Sequence, residues 1–341
     1  MLAVLVIAAL GAAGALAWAL SDSSDLDPRL AELLQQRGRA AWLGSGEPEP
    51  IEGTTWTTGL EEVLAERDPK LLLDAMTTET ITTLVVEAGP RDVPEGASLR
   101  AQLEAYAPIE GLRAVYLSPT HAIYERAVAA QLGDAARVMP RIARAIIGGR
   151  APPRISRFPE PLRQIQNVEV MVLLRDRGRA RLWRSARGSS VARALITASV
   201  VARQRWTERE SALGGPLDVR LPFMDVEVSL LEEDGTLGST SPSFIERVFF
   251  DGHGVAYERP GAWRYQLPDA TRESGQGSAV RAYRALFEDN ALPPDSFGRP
   301  DLRFYRLVTT ELGVSPAPAL GGDALDDSLD DSVFDALDSL D

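Results

Sequence analysis

The chain has no cysteine, a single lysine (Lys70) and two histidines, His121 and His253, in 341 residues. Without thiols there is no disulfide framework, no thiolate nucleophile and no cysteine-ligated zinc or iron–sulfur centre. Two imidazoles nearly exclude a multi-histidine metal site within one chain, so no metal or cofactor is expected. A phosphate-binding glycine loop, a nucleophile elbow and a histidine–glutamate metal motif are also missing from the sequence. Carboxylate chemistry stays open.

What is present is globular in composition, 45% apolar and 25% charged, with material for one large domain or two ordinary ones. The net charge of −13 is unevenly spread: from Arg137 to Arg209 there are seventeen arginines against four acids, a local +13, so the remainder carries −26. A chain this acidic is a poor non-specific nucleic-acid binder, and no nucleic-acid partner is expected, although one basic face could hold an anion.

The ends are distinct. Residues 1–20, "MLAVLVIAALGAAGALAWAL", carry no charge and match the ~20 residues a bilayer-spanning helix needs. They read as a membrane helix or signal anchor, with a cleaved signal peptide as runner-up because Ala15-Leu16-Ala17 resembles a cleavage site. Arg29, Arg37 and Arg39 follow the segment, which by the positive-inside rule points to a single-pass cell-membrane protein with its bulk in the cytoplasm; the acidic "SDSSDLD" points to the alternative, an extracytoplasmic bulk. A helix, "DPRLAELLQQRGRAAWL", running through Leu43, and a Gly/Pro/Glu linker fill 21–55. At the other end, 316–341 is an acidic tail with eight aspartates after Pro318, in which Leu325, Leu329, Val333, Leu337 and Leu340 recur at helical spacing. Such a segment solvates itself, or folds as an amphipathic helix on a basic groove of another protein.

Between the ends, residues 56–133 read as a small α/β region. "SPTHAIYERAVAAQLG" predicts a helix capped by Ser118, with His121 in its first turn. Beyond it come a helix ending at Gly148-Gly149, a proline-broken loop, strands on either side of Arg177-Gly178, and a long helix whose stripe is Val191, Leu195, Ala198, Ala202 and Trp206. "MDVEVSLL" alternates outward acids with inward apolar residues, and "LLEEDG" reads as the end of that strand in a turn. "DGHG", around His253, is hairpin-turn chemistry rather than a catalytic turn.

The order of these pieces resembles the AMMECR-type domain, the family named for the AMME chromosomal region. "RIARAIIGGRAPP" with "FPEPLRQIQNVEVMVLLRDRGRARL" is similar to its opening helix, Leu-Pro loop and first strand pair, and "MDVEVSLL" to its Ile-Glu-Val-Ser strand. "FFDGHGVAYERPGAWRYQLPDA" and "ALPPDSFGRPDLRFYRL" are similar to its closing hairpin and final strand. The resemblance covers about 137–312. It implies an α+β fold, a mostly antiparallel sheet with packed helices, over 134–315, which joins the expected membrane helix and the small α/β region. The family's hallmark is a Leu-Arg-Gly-Cys-Ile-Gly run; here Ala180, Arg181, Leu182, Trp183, Arg184 and Ser185 stand in its place, so only Arg181 is kept. With the glycines and cysteine gone, the hallmark's chemistry is not carried over.

The candidate site is therefore Arg181, Arg184, Arg187 and Trp183: guanidiniums suit a carboxylate, a phosphate or an anionic lipid head group, and the indole offers a stacking face. The competing reading is a solvated hairpin with partly paired arginines. The expectation is a membrane-anchored, non-enzymatic interaction or scaffold protein with the tail docking on a partner protein; the alternative is an anionic-ligand binder or enzyme built around Arg181.

Overall fold

The structure is a computed structural model, and it describes residues 28–35, 37–43, 48, 50–58, 60, 69–87 and 106–318. The chain divides into two compact units, 1–87 and 88–341.

In the first unit, helix α1 (Pro28–Gln35) starts on a proline, whose fixed φ and missing N–H suit a first turn. The helical reading through Leu43 is corrected: past Gly38 the chain becomes strand β1 (Arg39–Leu43). Ala40, Ala41, Trp42 and Leu43 are all buried, which a strand enclosed on both faces requires and a one-sided helix does not. β1 pairs in parallel with β2 (Thr55–Thr57) and with β3 (Thr83–Glu87), while α2 (Pro69–Thr78) buries Leu72 and Met76.

The second unit opens with the hairpin β4 (Leu112–Leu117) and β5 (His121–Arg126), where a helix was expected from Ser118. Ser118 Oγ does accept the backbone N–H of His121 at 3.0 Å, as a helix cap would. Here the same local bond closes a turn, because a serine hydroxyl serves either structure. His121 thus begins a strand and is buried. Helix α3 (Val128–Leu132) and α4 (Met139–Ile147) follow.

Strands β6 (Val168–Asp176) and β7 (Arg179–Gly188) form the expected hairpin. Its turn places Arg177 at φ 50° and Gly178 at φ 77°, two left-handed residues that suit the twist of a two-residue turn. Helix α5 (Val191–Glu208) is capped by Ser190 and buries the stripe Val191, Leu195, Ala198, Ala202 and Trp206 completely. Val191 and Leu195 each contribute roughly 1.5–3 kcal/mol by leaving water, and each alanine methyl less than about 1 kcal/mol.

Strand β8 (Met224–Leu237) is longer than "MDVEVSLL" suggests and organises the unit. Its first half pairs with β6, its far end lies parallel to β4, and its other edge pairs along its length with β11 (Arg303–Ser315). The turn expected at Gly235 is instead an irregularity within the strand. Gly235 has φ 106°, and a Cβ there would lie 2.7 Å from Leu117 Cδ1, so glycine lets the strand run on against β4. Beyond β8 come α6 (Pro242–Val248), the hairpin β9 (Gly254–Arg259) and β10 (Ala262–Gln266), α7 (Pro268–Gly275) and α8 (Ala279–Asp289). β9 pairs with β11. Tyr283 and Phe287 of α8 pack edge-on against Phe297 and Phe304.

The main core lies on one face of the sheet, where Val170, Val172 and Leu174 of β6 and Val226, Val228 and Leu230 of β8 meet α4 and α5. Strand alternation sends Met171, Leu173 and Arg175, and Asp225, Glu227 and Ser229, to the opposite face.

The expected fold class is corrected. The protein is mixed α/β with a large sheet, and among the described residues no helix is long and apolar enough to cross a membrane. Helix α5 has 18 residues but carries Arg193, Arg203, Arg205 and Glu208, which face water. Single-pass membrane class and cell-membrane localisation are therefore not supported; residues 1–20, on which they rested, lie outside the described residues.

Candidate functional site

Two constellations stand out in the second unit. The first is buried. Asp234 on β8, His253 before β9 and Arg306 on β11 are at most 6% exposed. Arg306 Nη2 lies 2.7 Å from Asp234 Oδ2, and His253 Nε2 lies 3.0 Å from the same oxygen. Oδ1 accepts the Ala114 N–H at 2.7 Å. Arg306 also donates to the carbonyls of Asp234, Tyr106 and Val248. His253 Nδ1 lies 3.0 Å from the Phe250 nitrogen and 3.1 Å from its carbonyl oxygen, and Nε2, which faces the carboxylate, is the nitrogen that donates to Asp234. Burial works against the Asp234 charge, but Arg306, His253 and the Ala114 N–H outweigh it and hold the carboxyl below its usual range. The set's contacts tie β4, β8, β11 and the turn before β9 together as a buried lock.

Two residues back along β8, Glu232 is also buried, and its Oε1 accepts the Val128 N–H at the start of α3 at 2.9 Å. Burial is the main influence on this carboxyl and pushes its pKa up, against the Val128 hydrogen bond and nearby Arg113.

The second constellation is open. On the sheet face opposite the main core lies a cleft of about 690 Å³, bounded by β6, β7, β8 and β11 below and by the end of β10 and α7 at its side. Its floor is Met171, Leu173 and Trp183, and the indole is 40% exposed. Its polar lining holds one guanidinium, Arg175, against four carboxylates: Glu227, Asp269, Glu273 and Glu311. Arg175 is committed to Glu227 at 2.7 Å, and Ser229 Oγ donates to the other Glu227 oxygen at 3.2 Å. Asp269 pairs with Arg272 at 2.8 Å. Glu273 and Glu311 are exposed and have no ion-pair or hydrogen-bond partner among the described residues. Beside the cleft floor, Tyr265 and Ser185 share Glu169 Oε1; burial above all pushes the Tyr265 hydroxyl up to about 12, so it stays a neutral donor.

The structure disperses the arginines that the sequence singles out. Trp183 lies in the cleft, but Arg181 does not line it: its Nη2 is 3.2 Å from Asp176 Oδ2, where Arg220 also lands at 2.7 Å. Arg184 pairs with Val172 and alternates to the other face from Trp183. Burial and then the charges of Arg205 and Arg209 hold its pKa down. Arg187 is taken up by Glu233 at 2.7 Å. Leu325, Leu329, Val333, Leu337 and Leu340 lie outside the described residues, as does most of the tail; of its described part, the Ala317 N–H donates to Asp225 Oδ1 at 2.8 Å.

Asp234, His253 and Arg306 escaped the sequence reading because a turn assignment explained the first two. A signal existed in "RFYRLV", where Arg306 interrupts the apolar run of Phe304, Tyr305, Leu307 and Val308. Glu227 was legible as an acid alternating out of the core, but its place beside Trp183 depends on β6 lying between β7 and β8.

Compared with known proteins, the chain matches no family model and no curated protein. Among solved structures it is similar to an uncharacterized protein from Pyrococcus horikoshii, at 18% identity and a TM-score of 0.38, over 51% of this chain and 87% of that one.

Proposed function

We propose that the chain is a non-enzymatic interaction protein that recognises a partner polypeptide through the open-face cleft. The observation that carries this reading is the exposed indole of Trp183 on the floor of a cleft whose best-organised charges, Arg175 and Glu227, are already paired with each other. An exposed aromatic in a concave, mixed-polarity surface is the usual anchor of a recognition site. The acidic tail, 319–341, is the second docking element, its eight aspartates suiting a basic groove.

The scaffold we infer is a degenerate AMMECR-type domain. Support comes from the ordered motifs between Arg137 and Leu312, with β6–β7 carrying the overwritten hallmark and β9–β10 and β11 the closing motifs. The alternative, an anionic-ligand binder or enzyme centred on Arg181, is less favoured because an incoming anion has to displace Asp176 from two guanidiniums.

Affinity capture with the full chain, followed by identification of co-purifying proteins, separates the two readings. A specific partner lost with Trp183→Ser and kept with Arg181→Gln supports the cleft. Partner loss with Arg181→Gln alone favours the alternative, and capture indifferent to Trp183 and to deletion of 319–341 overturns the proposal.

A further inference from the structure

The charge of the cleft defines its occupant. Arg175 and Arg272 neutralise Glu227 and Asp269, which leaves Glu273 and Glu311 as open carboxylates facing a cavity that also exposes an indole. An anion entering this space meets net negative potential; a cation meets two unpaired carboxylates and the negative face of an aromatic ring.

The geometry also separates a small cation from a longer ligand. Trp183 is paired with Leu173, which is paired with Glu227, while Glu311 is paired with Ser229 on the next strand. Trp183 and Glu311 thus sit on strands three steps apart, about 14 Å at the usual inter-strand spacing of about 4.8 Å. One side chain does not bridge that span, whereas an extended peptide does, with residues four apart.

Resting on the reading of this cleft as the recognition site, we propose that it receives a basic segment of a partner polypeptide: one arginine stacks on Trp183, and a second cationic side chain about four residues away meets Glu311 and Glu273. The planar guanidinium suits both a ring face and a carboxylate, which favours arginine over lysine at the Trp183 end.

The test is fluorescence anisotropy of the full chain with a labelled glycine/serine peptide bearing two arginines four residues apart. Control peptides carry citrulline or glutamate in both positions, or a single arginine, and N-acetyl-arginine amide serves as the small-cation competitor. Saturable binding of the two-arginine peptide is expected, weakened about fivefold or more with one arginine and abolished with glutamate. Trp183→Ala and the surface pair Glu273→Gln/Glu311→Gln each weaken it about three- to tenfold, while Trp183→Phe retains most of it. Absence of saturable binding, equal binding of the citrulline peptide, or affinity unchanged in both cleft variants overturns the proposal. So does full competition by N-acetyl-arginine amide at the peptide's own affinity, which identifies a small-cation site. Partner capture that depends on Trp183 while the basic peptide fails to bind leaves the interaction reading intact and removes only the cationic occupant.

Discussion

Replacing Asp234 by asparagine isolates the charge at the centre of the buried network. The amide keeps an oxygen for the Ala114 N–H, now at 2.7 Å. Its NH₂ group then faces Arg306 Nη2 and His253 Nε2, both donors, where the carboxylate oxygen stood at 2.7 and 3.0 Å. Arg306 is fully buried, so its charge loses its partner without gaining water. Removing one member of a buried pair costs about 3–5 kcal/mol, a large part of the 5–15 kcal/mol that holds a domain together. With a urea dependence near 3 kcal/mol/M, suited to a unit of this size, the midpoint falls by about 1–1.7 M. Urea titration followed by far-UV circular dichroism measures it. The double variant Asp234→Asn/Arg306→Met removes the stranded charge and recovers at least about 1 kcal/mol. Because the folded Asp234 pKa lies below its unfolded value, the wild-type advantage is present above the ordinary carboxylate range and fades as pH falls through the folded pKa. A single variant within about 0.5 kcal/mol of wild type, or a double variant no better than the single, refutes the assignment of this network as the structural lock.

Other perturbations probe other parts of the fold. Trp206→Ala, which empties a fully buried site and removes the donor to the Gly215 carbonyl at 3.0 Å, lowers stability by about 3–5 kcal/mol in the same titration. Glu232→Gln changes the slope of stability with pH: the raised pKa of Glu232 makes its contribution fullest at low pH and progressively lost as pH rises through the folded pKa, and the glutamine variant lacks that decline. Gly235→Ala combines φ 106° with a Cβ 2.7 Å from Leu117 Cδ1, costing about 1–3 kcal/mol and several degrees in thermal midpoint by calorimetry.

Periodicity made the core legible where one face of an element is buried and the other wet. The α5 stripe from Val191 to Trp206 and the alternation of Val226, Val228 and Leu230 are the clearest cases, because solvent on one side forces the pattern. It misled where local chemistry is shared between structures: Ser118 caps a turn with the same hydroxyl bond it would give a helix, and Gly235 marks an irregularity rather than a strand end. Elements enclosed on both sides, such as β1, carry no alternation to read. The hairpin around Arg177-Gly178 was plain in the sequence, but which of its arginines share a space was not. That depended on strand parity and on Asp176, Glu227 and Glu233 arriving from positions that no local pattern connects.

The long-range pairing of β8 also has a kinetic consequence. β11 completes the cleft by bringing Thr309 and Glu311 beside β8, and it is the last strand among the described residues. Pairing of strands so distant in sequence requires late, entropically costly loop closure. During synthesis the cleft therefore stays incomplete until β11, which ends at Ser315, has been made and is free to pair. The β8 edge that β11 pairs with is open meanwhile, which makes the nascent protein most prone to aberrant strand association just before β11 is added.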